Sequence, residues 1–157
     1  MTQEYLELMK ADLMAQYKDQ LCEESIESIQ AASTPEEFIG LLAKFSAFLN
    51  YKCIPEVWWV RKWFNNPTRK RLAEANGVYF EGYHSVVNPQ NHIVVMGNAK
   101  VVVACTIPHL YRIMLQEQAE CDLSTYSTCI VNVRKKDDSQ LNVVHKHDKS
   151  KIKIRTI

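Results

Sequence analysis

The sequence predicts an α+β protein in two parts, a helical head of three to four helices over residues 1–76 and a β-repeat tail over residues 77–157. Two observations support this division. In the first part, apolar residues recur every three or four positions, which is the period of an amphipathic helix. From residue 92 onward, pairs of apolar residues two positions apart return every ten residues. That period is typical of short strands stacked in a repetitive sheet, which presents a surface and need not enclose an active site.

Composition places the chain among globular proteins. Of its 157 residues, 46% are hydrophobic and 24% are charged, which is too apolar for a disordered chain. The first residues lack the basic and apolar segments of a secretory signal, and no apolar run is long enough to cross a membrane. We therefore expect a cytoplasmic protein with no membrane partner.

Charge is unevenly distributed along the chain, although the net charge is only +1. Residues 1–50 hold three Lys or Arg and nine Asp or Glu, whereas residues 51–72 hold six and one. Residues 134–157 hold eight and three. We expect the acidic head and the two basic segments to face different partners, or one another.

Two predicted helices account for most of the first fifty residues. Residues 4–31 predict an amphipathic helix, whose apolar stripe either docks on neighbouring helices or pairs two copies of the chain. A start signal follows, because Ser33 or Thr34 can accept hydrogen bonds from free helix amides and Pro35 suits the first helical position. The next apolar stripe is the strongest in the chain and predicts a core helix, with the residues Phe38, Leu41, Leu42, Phe45, Phe48 and Leu49.

Two short basic helices are predicted between residues 54 and 76, separated at Asn65-Asn66-Pro67 and ending at Asn76-Gly77. Their tight connection is typical of a helix-turn-helix, which predicts a nucleic-acid-binding module as one alternative. In the other interpretation, the tryptophans pack the head on the β part and the basic groups stay in water or pair with the acidic first helix. The candidate residues for binding nucleic acid or a partner are Trp58, Trp59, Arg61, Lys62, Arg69, Lys70 and Arg71. Adjacent tryptophans cannot both point inward, so we expect one of the first two to be partly exposed.

The tail predicts one buried column of side chains and one wet column. The buried pairs are Val101/Val103, Tyr111/Ile113, Cys121/Leu123, Val131/Val133, Leu141/Val143 and, after one extra residue, Ile152/Ile154. The residue between the members of each pair is mostly polar, as a strand with one buried face requires. If consecutive units stack in register, Arg112 lies beside Asp122 and Asn132 lies beside Asn142.

Two architectures fit the tail. One is a flattened, short β-solenoid with two strands in each coil of about twenty residues, giving roughly three coils. The other is an antiparallel meander. With only four glycines in the chain, tight hairpin turns are disfavoured and the solenoid is preferred. We expect residues 77–91 to form a junction with one strand near its start, and the head to cap one end of the solenoid.

Few residues indicate a metal-binding, catalytic or cofactor-binding site. His145 and His147 are weak metal candidates, because two residues apart on a strand places both imidazoles on one face, as an extension of the buried column. The five cysteines contain no C-x-x-C pair and are interpreted as small buried residues in a reducing compartment. Nucleophile, phosphate-loop and dinucleotide motifs are missing from the sequence. We therefore assign no catalytic residue and expect no cofactor.

One combination of features carries a resemblance to known sequences. The stretch from Pro55 to Phe64 reads Pro-x-Val-Trp-Trp-Val-Arg-Lys-Trp-Phe, and it is followed by Asn76-Gly77-Val78-Tyr79, strand repeats and a basic Val143–Lys146 segment. This arrangement resembles uncharacterised proteins carried by phages and prophages of gut bacteria. The resemblance covers residues 55–157 and implies a viral or mobile-element setting, with a virion as a second possible location. It implies no activity.

Three functions follow as hypotheses. The first is a non-enzymatic interaction or structural protein, such as a phage accessory or virion component, that docks a protein partner or another copy of itself through the repeat face and the Trp-rich helix. The alternative is a nucleic-acid-binding module that uses the basic helices 55–76. The second alternative is a small enzyme without a recognisable motif.

Overall fold

The computed structural model describes residues 1–48, 54–90 and 92–157, and it confirms the predicted fold class. A helical head is followed by a parallel β-solenoid. The helices are α1 (Gln3–Tyr17), α2 (Glu23–Ala31), α3 (Pro35–Phe48), α4 (Val57–Trp63) and α5 (Pro67–Ala75). The helix predicted over residues 4–31 is thus two helices, because a 3₁₀ turn at Lys18–Gln20 and an extended Leu21 separate them.

Local hydrogen bonds explain where the helices begin and end. At α3, the Glu37 amide donates to Thr34 Oγ1 at 3.2 Å, and the Glu37 carboxylate accepts from the Ser33 amide at 2.8 Å. This reciprocal capping satisfies amides that have no partner inside the helix, and it confirms the predicted start signal. At the end of α5, Gly77 has φ +86°, a left-handed conformation that favours glycine and stops the helix.

In the described part of the chain, nine strands wind into two parallel sheets that face each other. The strands are β1 (Val78–Tyr79), β2 (Tyr83–Val87), β3 (His92–Val95), β4 (Lys100–Cys105), β5 (Leu110–Leu115), β6 (Glu120–Thr125), β7 (Ile130–Lys135), β8 (Gln140–Lys146) and β9 (Lys151–Thr156). The order β1-β3-β5-β7-β9 forms one sheet, called the odd sheet, and β2-β4-β6-β8 forms the even sheet. Every strand pair is parallel, so the solenoid is confirmed and the antiparallel meander is wrong.

The solenoid is longer than the sequence predicts. Strands β1 and β2 belong to residues 77–91, so the expected junction is itself a first coil. With two strands in each coil, nine strands make about four turns instead of roughly three. The additional strand, β2, has an exposed and weakly apolar pattern, which hides it from a periodicity argument.

Successive units of ten residues lie in opposite sheets. Arg112 is therefore in register with His92 and Asn132 in the odd sheet, while Asp122 is in register with Asn142 in the even sheet. The expected stacking of Arg112 beside Asp122 and of Asn132 beside Asn142 is wrong for this reason. Neighbours in a sheet are twenty residues apart in sequence, because each coil places one strand in each sheet.

The apolar residues form two cores. The inner core lies between the two sheets and contains residues such as Val101, Val103 and Leu123, all fully buried. The outer core joins the helices to the outward side chains of the odd sheet, including Val94 and Met114. The head therefore covers part of the outer face of the odd sheet as well as lying next to β1, whereas an end cap alone was expected. The reason is that the outward positions Val94 of β3 and Met114 of β5 are apolar.

Candidate interaction surfaces

The adjacent tryptophans of α4 point in opposite directions, as predicted. Trp59 is fully buried in the outer core, whereas Trp58 is 46% exposed. The Trp58 Nε1–H donates to Glu56 Oε2 at 2.9 Å, so its polar edge is partly satisfied within the head. An exposed, amphipathic ring of this kind suits a contact with another molecule.

The basic side chains of α4 are used in contacts within the chain. Lys62 Nζ forms an ion pair with Asp12 Oδ2 at 2.8 Å, and Arg61 Nη2 donates to Asn98 Oδ1 at 3.3 Å. Trp63 Nε1–H also donates to Asp12 Oδ2, at 2.6 Å. These contacts attach α4 to α1 on one side and to the first complete corner of the solenoid on the other.

Two of the three basic side chains of α5 also make contacts within the chain. The Arg69 guanidinium lies over the Tyr5 ring at 3.7 Å, and its Nη1 donates to the Tyr5 hydroxyl at 2.6 Å. Lys70 forms an ion pair with Glu81, whereas Arg71 is exposed. The candidate basic residues therefore do not converge on one exposed helix face, and their role in binding nucleic acid stays a prediction.

Asp12 is the acidic centre of the contact between α1 and α4. Burial raises the pKa of Asp12. Hydrogen bonds from Lys62 and Trp63 and the positive charge of Lys62 together lower it by more than burial raises it, so the pKa lies below its usual value. The carboxylate is therefore charged at neutral pH and stabilises this contact. The acidic first helix and the basic fourth helix face one another, which is one of the two arrangements expected from the charge distribution.

A bulge separates the two candidate histidines of the tail. The register between β6 and β8 shifts after Leu123, so that Ser124 pairs with His145 and Val144 is the extra residue. His145 consequently leaves the inner column, and its ring stacks on Tyr126 with a centroid distance of 4.7 Å. The expectation that both imidazoles extend the buried column is therefore wrong.

The second of these histidines lies after the end of β8 in a turn. His147 Nδ1 accepts a hydrogen bond from the Lys149 amide at 3.2 Å, so this nitrogen serves the turn. Within residues 1–48, 54–90 and 92–157, no group of three His, Cys, Asp or Glu side chains is arranged to hold a metal ion.

Three of the four described cysteines are buried, as expected from their apolar character. Burial raises the pKa of Cys105 and of Cys121 to about 12 and also raises the pKa of Cys129. These thiols are therefore protonated and unreactive at neutral pH. Cys22 differs because it is exposed, and Cys53 lies outside the described residues.

One cavity collects side chains of the kind that enzymes use. It has a volume of about 470 Å³ and is lined in part by Ser28, Glu37, Lys44 and His92. However, the Ser28 hydroxyl donates to the Glu24 carbonyl, and the Glu37 carboxylate caps α3. Burial and the charges of nearby bases lower the pKa of His92 to about 4. In this cavity, the serine hydroxyl and the glutamate carboxylate are therefore both engaged in hydrogen bonds of the helices, and the imidazole is a weak base.

The last coil exposes the inner column that strands β3 to β7 bury. In the even sheet, Val103 and Leu123 are fully buried, but their register partner Val143 is 42% exposed. In the odd sheet, Val133 is buried, but its partner Ile154 is 54% exposed. Among the described residues, no element packs over this end of the inner core. The result is an apolar surface at the end of the solenoid, called the terminal face, formed by Leu141, Val143, Ile152 and Ile154.

The outer face of the odd sheet is strongly basic toward the same end. Strands β5, β7 and β9 carry six Lys or Arg and no Asp or Glu, and all of these cations except Lys135 occupy outward positions. The even sheet differs, because there Lys100 pairs with Glu120 at 3.0 Å across neighbouring strands. Sequence reasoning missed this separation because it requires knowing which units share a sheet.

Within the described ranges, no helix is long and apolar enough to span a membrane. No protein-family model matches the chain, and neither a curated protein nor a solved structure is significantly similar to it.

Proposed function

We propose that the protein is a non-enzymatic structural or interaction protein that associates head to tail with other copies of itself. The observation that carries this proposal is the exposure of the terminal face. The same inner columns are buried in every earlier coil from β3 onward, so a covering surface would complete the core. Exposed apolar area next to unpaired strand edges is characteristic of an interaction site.

Charge identifies the kind of surface that fits the terminal face. Its rim carries the cations Lys146, Lys149, Lys151, Lys153 and Arg155. Two terminal faces would place these cations against one another, which opposes a symmetric tail-to-tail contact. A complementary partner surface is apolar at its centre and acidic around it.

The exposed side of α1 has this composition. Leu8 is 55% exposed, and Ala11 and Ala15 follow it at helical spacing on the same outward side. Glu4 lies at the start of this row, and Asp19 follows its end in the 3₁₀ turn after α1; both side chains are exposed. This surface of α1, called the α1 face, is distinct from the terminal face, so contact between them is head to tail and can continue from copy to copy.

Two substitutions test this arrangement by complementation. Leu8→Glu adds a charge to the α1 face and keeps the helix, while Ile154→Lys adds a charge to the terminal face at an exposed position. We expect the unsubstituted protein to form dimers and longer species at low salt in sedimentation velocity experiments, and each variant alone to stay monomeric. A 1:1 mixture of the two variants should form dimers and nothing longer, because each copy then retains one intact surface.

The matched control is Ile107→Lys, which makes the same chemical change at an exposed corner away from both surfaces. It should associate like the unsubstituted protein. A monomer at all protein concentrations and salt concentrations would refute the proposal. Dimerisation of Leu8→Glu alone would instead establish a tail-to-tail contact and would also refute it.

The resemblance to phage and prophage proteins suggests the biological setting. A protein that assembles into chains of copies suits an accessory or virion component, and we propose that setting on the resemblance alone. Internal pairing of Lys62 and Lys70 makes the basic helices a weaker basis for a nucleic-acid-binding function than the terminal face is for association.

A further inference from the structure

A groove crosses the outer face of the odd sheet between two columns of side chains. Parallel register places Arg112, Asn132 and Lys153 in one column on β5, β7 and β9. The second column contains Arg134 and Arg155, two residues farther along β7 and β9. Residues two positions apart on a strand are separated by about 6.6 Å, so the side chains of the two columns stand as rows on either side of the groove.

The groove is concave and its lining is cationic. It has a volume of about 220 Å³, and its polar lining consists of Arg112, Arg134, Lys153, Arg155 and Asn132. No carboxylate side chain lines the groove, and strands β5, β7 and β9 contain no Asp or Glu. A volume of this size is sufficient for one or two phosphate groups.

Like charges stacked in register are unfavourable within a sheet. Arg134 lies directly beside Arg155, and only Asn132 separates Arg112 from Lys153. Cross-strand pairs of equal charge destabilise a sheet, whereas a bound anion converts the repulsion into attraction. In the even sheet, register places Glu120 beside Lys100 and the two side chains form an ion pair, whereas neither column of the groove contains an acidic residue.

Two further observations locate positive potential and a polar group at the groove. His92 continues the first column, and its pKa is lowered to about 4 by burial and by the charges of Arg112 and Lys44. The side-chain oxygen of Asn132 is buried and has no hydrogen-bond partner. Because the two ends of an amide have nearly the same shape, a bound oxyanion would select the orientation that points the N–H groups at it.

We propose that this groove binds the phosphate groups of a phosphate-bearing ligand. Guanidinium groups match phosphate oxygens with paired, charge-assisted hydrogen bonds, and the lysine adds a mobile positive charge. The shared chemistry is the phosphate oxyanion, which a small phosphorylated compound or a single-stranded nucleic acid can supply. The groove lies on the outer face of the sheet, whereas the head-to-tail association is centred on the inner column. The two surfaces share Lys153 and Arg155, which also lie on the rim of the terminal face.

Three probes distinguish the sources of phosphate, namely inorganic phosphate, pyrophosphate and a fluorescent oligothymidylate. We expect binding at low salt, measured by calorimetry for the small ions and by fluorescence anisotropy for the oligonucleotide. Displacement of the oligonucleotide by pyrophosphate indicates a small-phosphate site. Oligonucleotide binding without such displacement, but sensitive to substitution in the groove, identifies nucleic acid as the source of phosphate.

The test variant is Lys153→Gln together with Arg155→Gln, and the control is Lys146→Gln together with Lys149→Gln. Both remove two exposed positive charges from the same end of the chain, but only the first pair lines the groove. We expect the groove variant to weaken binding about tenfold or more and the control to change it less than about twofold.

Amide chemical shifts of the unsubstituted protein provide a second measurement that does not depend on how a variant folds. Pyrophosphate or the oligonucleotide should shift amides of β7 and β9 more than those of β6 and β8. The proposal is overturned if none of the three probes binds at low salt, or if both double variants lose equal affinity.

Discussion

The contrast between a closed coil and the last coil can be measured with one substitution made twice. Val103 and Val143 occupy the same inner column of the even sheet, on either side of Leu123. The first is fully buried and the second is 42% exposed. Val103→Ala and Val143→Ala therefore remove the same atoms from the same column and differ only in how much those atoms are enclosed.

The expected costs follow from burial. Removing two buried carbon atoms costs about 1.6 kcal/mol at about 0.8 kcal/mol for each, and the cavity left in a closed coil raises the total for Val103→Ala to about 2–3 kcal/mol. Val143→Ala exposes little new surface and leaves no enclosed cavity, so we expect a loss of about 0.5–1 kcal/mol. In a chain of this length, the first change lowers the melting temperature by several degrees and the second by one or two.

Urea unfolding at low protein concentration measures both values. Far-UV circular dichroism follows the whole chain, while fluorescence follows the head, because all three tryptophans lie in α4. Coincident transitions are required before the free energies of unfolding are compared. Equal costs for the two substitutions in monomeric protein would refute the conclusion that the inner core is open at the last coil. If copies cover the terminal face, the cost of Val143→Ala should increase with protein concentration.

Two further outcomes are expected. Asp12→Asn should lower the free energy of unfolding by about 1 kcal/mol at pH 7, because it removes the carboxylate charge that accepts hydrogen bonds from Trp63 and Lys62. Since the pKa of Asp12 is lowered on folding, this contribution is present above the unfolded pKa and is lost as pH falls through the folded pKa. The stabilities of the two proteins in urea titrations should therefore converge only when the pH falls below the folded pKa. With Cys53 replaced by Ser, a thiol reagent should modify Cys22 rapidly in the native protein, whereas Cys105 should react only after denaturation. Fast labelling of Cys105 would contradict its burial.

The site could be predicted only in part. Adjacent tryptophans on a helix must diverge, so the exposure of one of them follows from the sequence. The partners of the basic helix residues could not be predicted from the sequence, because Lys62 bonds to Asp12, which is fifty positions away in the sequence. The bulge at Val144 also left no signal in the apolar alternation, and it moved His145 to the other side of the strand.

A signal with a period of twenty residues was available but is easily overlooked. Small residues follow one corner of each coil at Ala99, Ala119 and Ser139, and all three are buried. The turn residues at this corner adopt positive φ, and the amide of Gly97 donates to the Glu117 carboxylate of the next coil at 2.6 Å. A twenty-residue period in the corners, beside a ten-residue period in the strands, indicates that alternate units belong to different sheets.

The sequence by itself determined the helical head, the start of α3 and the end of α5, the alternation of buried and exposed strand positions, and the two-part order, but it did not show the break between α1 and α2. These features depend on residues within one turn or one strand, so the local pattern carries them. Only the tertiary structure decided which columns became neighbours. Closing each coil joins positions twenty residues apart, which separates Arg112 from Asp122, gathers the cations on the odd sheet and leaves the terminal face exposed. Long-range register and the covering of apolar faces arise from packing the whole chain, and no short window of sequence contains them.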